Sequence, residues 1–145
     1  LTLRVNKKKM RLRLPAVEKK YKAPKVAIVM DDFGYNMNNI DALFAIRQPV
    51  TLSILPNLPY SEEVARDAKR RGYEVMLHLP LEPHSEAVRE EEGTIKAGMT
   101  EARITAILEG DLSSVPGADG VSNHMGSKST EEREVMMLVM SHESF

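Results

Sequence analysis

The sequence predicts an α/β fold built on parallel strands. Two observations predict it. Short apolar runs alternate strictly with segments of helical periodicity, in the order β-α-β-α-β-α-β-α, which implies a parallel sheet joined by helical crossovers. Polar side chains recur just past the carboxyl end of each run: Asp31 and Asp32, Asn57, His78 and Glu82, Asn123 and His124. Ligands of such sheets, and of α/β barrels, bind at that rim.

Each element has its own justification. Val26–Met30 is short, β-branched and apolar on both faces, which predicts a fully buried strand running to about residue 31. Residues 38–47 carry Ile40, Leu43, Phe44 and Ile46 at spacings that fit a short helix with one apolar face. "VTLSILP" is the second strand, near 50–55. "SEEVARDAKRRGYEV" reads as a helix with Ser61 as N-cap. Glu62 and Glu63 lie in its first turn, Arg70 and Arg71 in its last, and Gly72 follows. "EVMLHLP" is the third strand, near 74–79. Thr100 caps a helix that carries Ile104, Ile107, Leu108 and Leu112. "ADGVSNHMGS" holds the fourth strand, near 119–123, and the loop after it; Thr130 opens a last helix with Val135, Leu138 and Val139 inside. Met30, Met76, Met99, Met136 and Met137 read as core filling.

Composition narrows the chemistry. The 145 residues are 42% hydrophobic and 28% charged, and no apolar stretch approaches a membrane span. There is no cysteine, so a disulfide, a thiolate nucleophile and a cysteine metal site are all excluded. Asp, Glu and His remain as strong metal ligands. Charge is uneven: residues 1–25 hold ten Lys/Arg and one acid, and the other 120 hold 10 basic and 20 acidic residues. We read 1–25 as a basic linker or arm ending near Ala23-Pro24, and 26–145 as the domain. A basic arm could touch nucleic acid or an anionic surface. The acidic body argues against nucleic acid as the main partner.

Three strand ends offer Asp or His at one rim. Adjacent carboxylates repel, and they are tolerated if one binds a cation or shares a proton. The alternative for Asp31 and Asp32 is that they cap the loop and helix that follow. A lone His78 or His124 on a strand could equally be a hydrogen-bonded core residue. Taken together, one carboxylate and two imidazoles are a normal set for catalytic Zn²⁺ or a similar divalent ion with an open position. Glu82 could be a ligand, a partner of one, or a surface acid; Asn123 lines the same rim.

The stretches "AIVMDDFGYN", "VTLSILPNLPYSEEVARDAKRRGYEVMLHLPLEP", "VPGADGVSNHMGS" and "ST", in order over about residues 26–140, resemble the divergent polysaccharide deacetylase family, a branch of the NodB-like deacetylases. The resemblance implies a (β/α) barrel of about seven strands, of which this chain would hold the N-terminal half. It implies that Asp31 is the catalytic base and that Asp32 and His78 bind metal. The usual partner histidine of His78 is replaced by Glu82, and "NHMGS" offers His124 as the replacement ligand.

The expected function is therefore a metal-dependent hydrolase, with zinc the expected ion, that removes acetyl groups from a polysaccharide or oligosaccharide. A periplasmic or secreted location follows from the resemblance, with membrane contact only through an N-terminal anchor outside this sequence. Since the barrel needs further strands, the expectation is that this chain alone is inactive and prone to aggregate. The competing reading is a catalytically inactive carbohydrate- or envelope-binding module on the same fold, which the Glu82 replacement favours. A third reading, a nucleic-acid binder acting through its basic arm, would show steep loss of binding with salt.

Overall fold

The sheet that organises the molecule has four strands in the order β3-β4-β5-β6, all parallel. The computed structural model describes residues 2–5, 8–11, 24–87 and 89–142. Elements follow as β1 (Thr2–Val5), β2 (Lys8–Arg11), β3 (Val29–Phe33), α1 (Ile40–Phe44), β4 (Thr51–Ile54), α2 (Ser61–Arg70), β5 (Glu74–Leu81), α3 (Glu101–Ser114), β6 (Gly120–Met125) and α4 (Arg133–Met140). Spatial order equals chain order. Parallel strands joined in sequence by crossovers of one hand send every helix to the same face, which is barrel-like winding.

Register explains the two faces. Ser53 pairs with Met76, and Met76 with Gly120; His78 pairs with Ser122, and Pro80 with His124. Side chains alternate along a strand, so Ser53, Met76, His78, Ser122 and His124 share one face. The other face carries Leu52, Ile54, Val75, Leu77, Leu79 and Leu81, all buried. Val64, Ala65 and Ala68 of α2, Ile104, Ile107 and Leu108 of α3, and Val135 and Val139 of α4 complete that core. Burying a Val, Leu or Ile side chain of this kind is worth about 1.5–3 kcal/mol. The helical face thus supplies most of the stability, and the opposite face is free to carry polar groups.

Several expectations are corrected. The first strand is Val29–Phe33 rather than 26–31, and it is not buried: Val29 is 44% exposed and Met30 37%. Among the described residues it is an edge strand, hydrogen-bonded only to β4, so its apolar run lacks a neighbour there on one side. Met30 and Met137 accordingly do not fill the core; Met137 lies on an exposed face of α4. Ser61 is the first helical residue, not the N-cap, which is Tyr60. Its hydroxyl accepts from Leu58 N and donates to Leu55 O, pinning the preceding turn instead. A 3₁₀ turn at Ser129–Glu131 precedes α4, which starts at Arg133 rather than Thr130. Within the basic arm, β1 and β2 pair antiparallel.

Candidate functional site: an Asp-His-His pocket at the strand ends

Three backbone irregularities sit just where the strands end. Asp32 (φ 64°), Asn57 (φ 58°) and Met125 (φ 55°) adopt left-handed conformations. Such residues cost about 1–3 kcal/mol each and concentrate at functional sites. At Asp32 the cause is visible: the register between β3 and β4 slips between Met30 and Phe33. An extra residue in a strand bends it and re-aims a side chain. Here the slip turns the Asp32 carboxylate across the sheet end toward β5 and β6. Gly34 and Gly126 follow two of these points. A Cβ on Gly126 would meet Leu81 Cβ at 2.8 Å, so only glycine lets the chain turn there after β6.

The result is a triangle. Asp32 Oδ1 lies 3.3 Å from His78 Nε2 and 3.2 Å from His124 Nδ1, and the two imidazole nitrogens are 3.2 Å apart. Among the described residues, these three form the group of Asp, Glu and His whose ligand atoms all lie within 4.8 Å. A tetrahedral ion with ligands at about 2.0–2.1 Å separates them by about 3.3–3.4 Å. The edges of the triangle match that spacing. The two rings meet edge to face, with centroids 4.9 Å apart, so their lone pairs can converge instead of stacking. Exposure is graded: the side chain of His78 is 6% exposed, that of His124 14% and that of Asp32 60%. The imidazoles are thus largely covered and the carboxylate lies open to solvent.

Burial pushes the His78 pKa below its usual value, and the charge of a protonated His124 pushes it the same way; Asp31 and Asp32 push it back up. His78 is thus held neutral near pH 7, the form that binds metal. Its Nδ1 lies 2.9 Å from Ser122 Oγ, which is hydrogen-bonded to Ser53 Oγ. His124 Nε2 is buried without a hydrogen-bond partner among the described residues.

The structure brings Asp32, His78 and His124 together as the sequence suggests, with Asp31 exposed beside them and close enough for its charge to reach His78. It does not bring Glu82 or Asn123 in. Glu82 Oε1 accepts from Lys128 Nζ at 2.9 Å and Oε2 from Ala97 N at 2.9 Å, which also hold its pKa down. Glu82 therefore ties the loop after β5 to the turn after β6. Asn123 pairs with Leu79, on the helical face, and donates to Met125 O. Asn57 turns to Asp111 of α3, with Nδ2 2.7 Å from Oδ1. Sequence reasoning missed Ser53, Ser122 and Tyr35. The signal for Ser122 was its place two residues before His124, hence on the same face. Tyr35 donates to Glu91 in the loop after β5, and that carboxylate, with Asp32 nearby, pushes the phenol up to about 12.

Residues 28–143 match the model of the divergent polysaccharide deacetylase family. The chain belongs to that family. It is 38% identical over 118 residues to the uncharacterized protein YibQ of Escherichia coli K12, covering 81% of this chain and 37% of that one. It is 34% identical over 117 residues to an uncharacterized protein of Haemophilus influenzae Rd, covering 81% and 41%. The crystal structure of the uncharacterized protein ATU2773 from Agrobacterium tumefaciens C58 superposes with a TM-score of 0.67 at 25% identity, over 83% of this chain and 51% of that chain. The chain thus spans less than half the length of the curated relatives it matches.

Proposed function

We propose that this chain carries the metal pocket of a hydrolase that removes acetyl groups from glycans. The observation that carries the reading is the Asp32–His78–His124 triangle, whose edges of 3.2–3.3 Å match the ligand spacing of a tetrahedral ion. Membership of the divergent polysaccharide deacetylase family supports the substrate class.

In this reading Asp32 Oδ1, His78 Nε2 and His124 Nδ1 hold the ion, with zinc favoured by the two imidazoles. A divalent ion there supplies Lewis acidity, which polarises an acetyl carbonyl and lowers the pKa of water. Asp31, exposed beside the site, takes the proton from the attacking water on one of its carboxylate oxygens; as the acetyl C–N or C–O bond breaks, that proton returns to the leaving sugar nitrogen or oxygen and acetate is released. The buried imidazoles exclude water from beneath the reacting group. The open side at Asp32 admits the sugar, and Tyr35, half-exposed and three residues on, borders that entrance.

The test is acetate release from acetylated oligosaccharides, measured on the chain in its longest natural form after chelation and after zinc is restored. The reading expects zinc-dependent release that Asp31→Asn abolishes. Zinc binding with no release from any acetylated glycan would instead support a glycan-binding module.

A further inference from the structure

Two hydroxyls next to the pocket have no part in the chemistry proposed above. Ser122 Oγ of β6 lies 2.9 Å from His78 Nδ1, and Ser53 Oγ of β4 is hydrogen-bonded to Ser122 Oγ. Ser53 has no solvent exposure. The three side chains come from three adjacent strands on one face. Hydroxyls taken out of water cost free energy unless they are hydrogen-bonded, and two alanines would fill this part of the sheet without that cost. The sequence places serines where His78 needs a partner.

We propose that Ser122, backed by Ser53, is a positioning residue that holds His78 with its proton on Nδ1, so that the Nε2 lone pair faces Asp32 and His124. Its purpose rests on the metal reading; the tautomer itself does not. Without an ion, His124 Nε2 has no partner among the described residues, so the His124 proton is satisfied only on Nδ1. From there it reaches Asp32 Oδ1 and His78 Nε2, each 3.2 Å away. His78 Nε2 also lies 3.3 Å from Asp32 Oδ1, to which it would donate in the opposite tautomer; in the proposal the His124 proton points at His78 Nε2, which accepts it. With an ion bound, the same Nε2 lone pair is the ligand. Both states put the His78 proton on Nδ1, where Ser122 Oγ accepts it and passes its own hydrogen to Ser53 Oγ. An imidazole ligand anchored through its second nitrogen is oriented and made more basic, and loss of such an anchor costs about 10–100-fold in metal affinity.

The experiment is ¹⁵N–¹H NMR of the histidine side chains at pH 8, metal-free and zinc-loaded, with zinc affinity measured on the same samples. The samples are wild type, Ser122→Ala, Ser122→Thr and Ser53→Ala. In wild type, His78 should show Nδ1–H in both states. Ser122→Ala should mix the tautomers and weaken zinc binding about 10–100-fold, and Ser122→Thr, which restores a hydroxyl, should recover most of both. Ser53→Ala, which leaves the His78 contact in place, should move both in the same direction by less. A wild-type His78 protonated on Nε2 overturns the proposal. So does a single Nδ1–H tautomer with unchanged zinc affinity in Ser122→Ala. If wild type binds no zinc yet the metal-free tautomers behave as described, the metal reading fails and the positioning role stands.

Discussion

Asp111 makes a pH-dependent claim that can be worked from the structure. It lies on α3 with 1% exposure; Oδ1 accepts from Asn57 Nδ2 at 2.7 Å, and Oδ2 has no partner among the described residues. Burial pushes its pKa up to about 7, and the Asn57 hydrogen bond offsets only part of that. The folded value exceeds the unfolded one, so the folded state binds more protons between them. Stability is therefore fully present below about pH 4 and is lost as pH rises through about 7. The slope is about 1.4 kcal/mol per pH unit, or about 2–3 kcal/mol between pH 5 and pH 8. Asp111→Asn keeps an oxygen for Asn57 and cannot ionise. Urea or thermal unfolding of both proteins, with chelator present, should give a variant that gains about 2–3 kcal/mol on wild type in moving from pH 5 to pH 8. In a chain of this size that is about 5–10 °C in Tm. Other titrating groups cancel in the comparison. A stability difference independent of pH would refute the reasoning.

The remaining predictions concern the pocket and its supports. His124→Ala and Asp32→Asn should each weaken zinc binding by at least about 100-fold in calorimetry, since each removes one of three ligands, whereas Asp31→Asn should leave affinity within a few-fold and remove turnover. Glu82→Gln should leave zinc affinity unchanged and lower the hydrogen-exchange protection of the loop after β5, because its bonds go to Lys128 and Ala97. His78 is held below 6.5 in the fold, so its contribution to metal-free stability is full above about pH 6.5 and falls as pH drops below it; His78→Gln should flatten that limb in acid titrations of unfolding. Gly34→Ala should destabilise by more than about 1 kcal/mol in denaturant titrations. Its φ is +120°, and a Cβ would meet Ser61 Oγ at 2.8 Å and Leu55 O at 3.2 Å.

How much of this was legible in the sequence varied by residue. The direction of the four sheet strands followed from alternation, because that signal depends only on chain-local apolar periods; their barrel-like order followed from the family resemblance. Convergence of Asp32, His78 and His124 was legible because strand ends of a parallel sheet share one rim. The exposure of Val29 and Met30 was not, since an edge strand and a central one can carry the same apolar run. Glu82 misled for a related reason. It lies four residues past His78, at the right height, but strand β5 ends at Leu81 and the carboxylate is captured by Lys128, 46 residues away. The left-handed turn at Asp32, which aims the carboxylate, depends on a register slip against β4 that no local pattern encodes.

The central claim is that Asp32, His78 and His124 form one metal site, and anomalous diffraction at the zinc edge tests it most directly. Crystals equilibrated with zinc should show one strong peak at about 2.0–2.2 Å from Asp32 Oδ1, His78 Nε2 and His124 Nδ1. No peak there in wild-type crystals, or a peak held by Glu82 in place of His124, would contradict it.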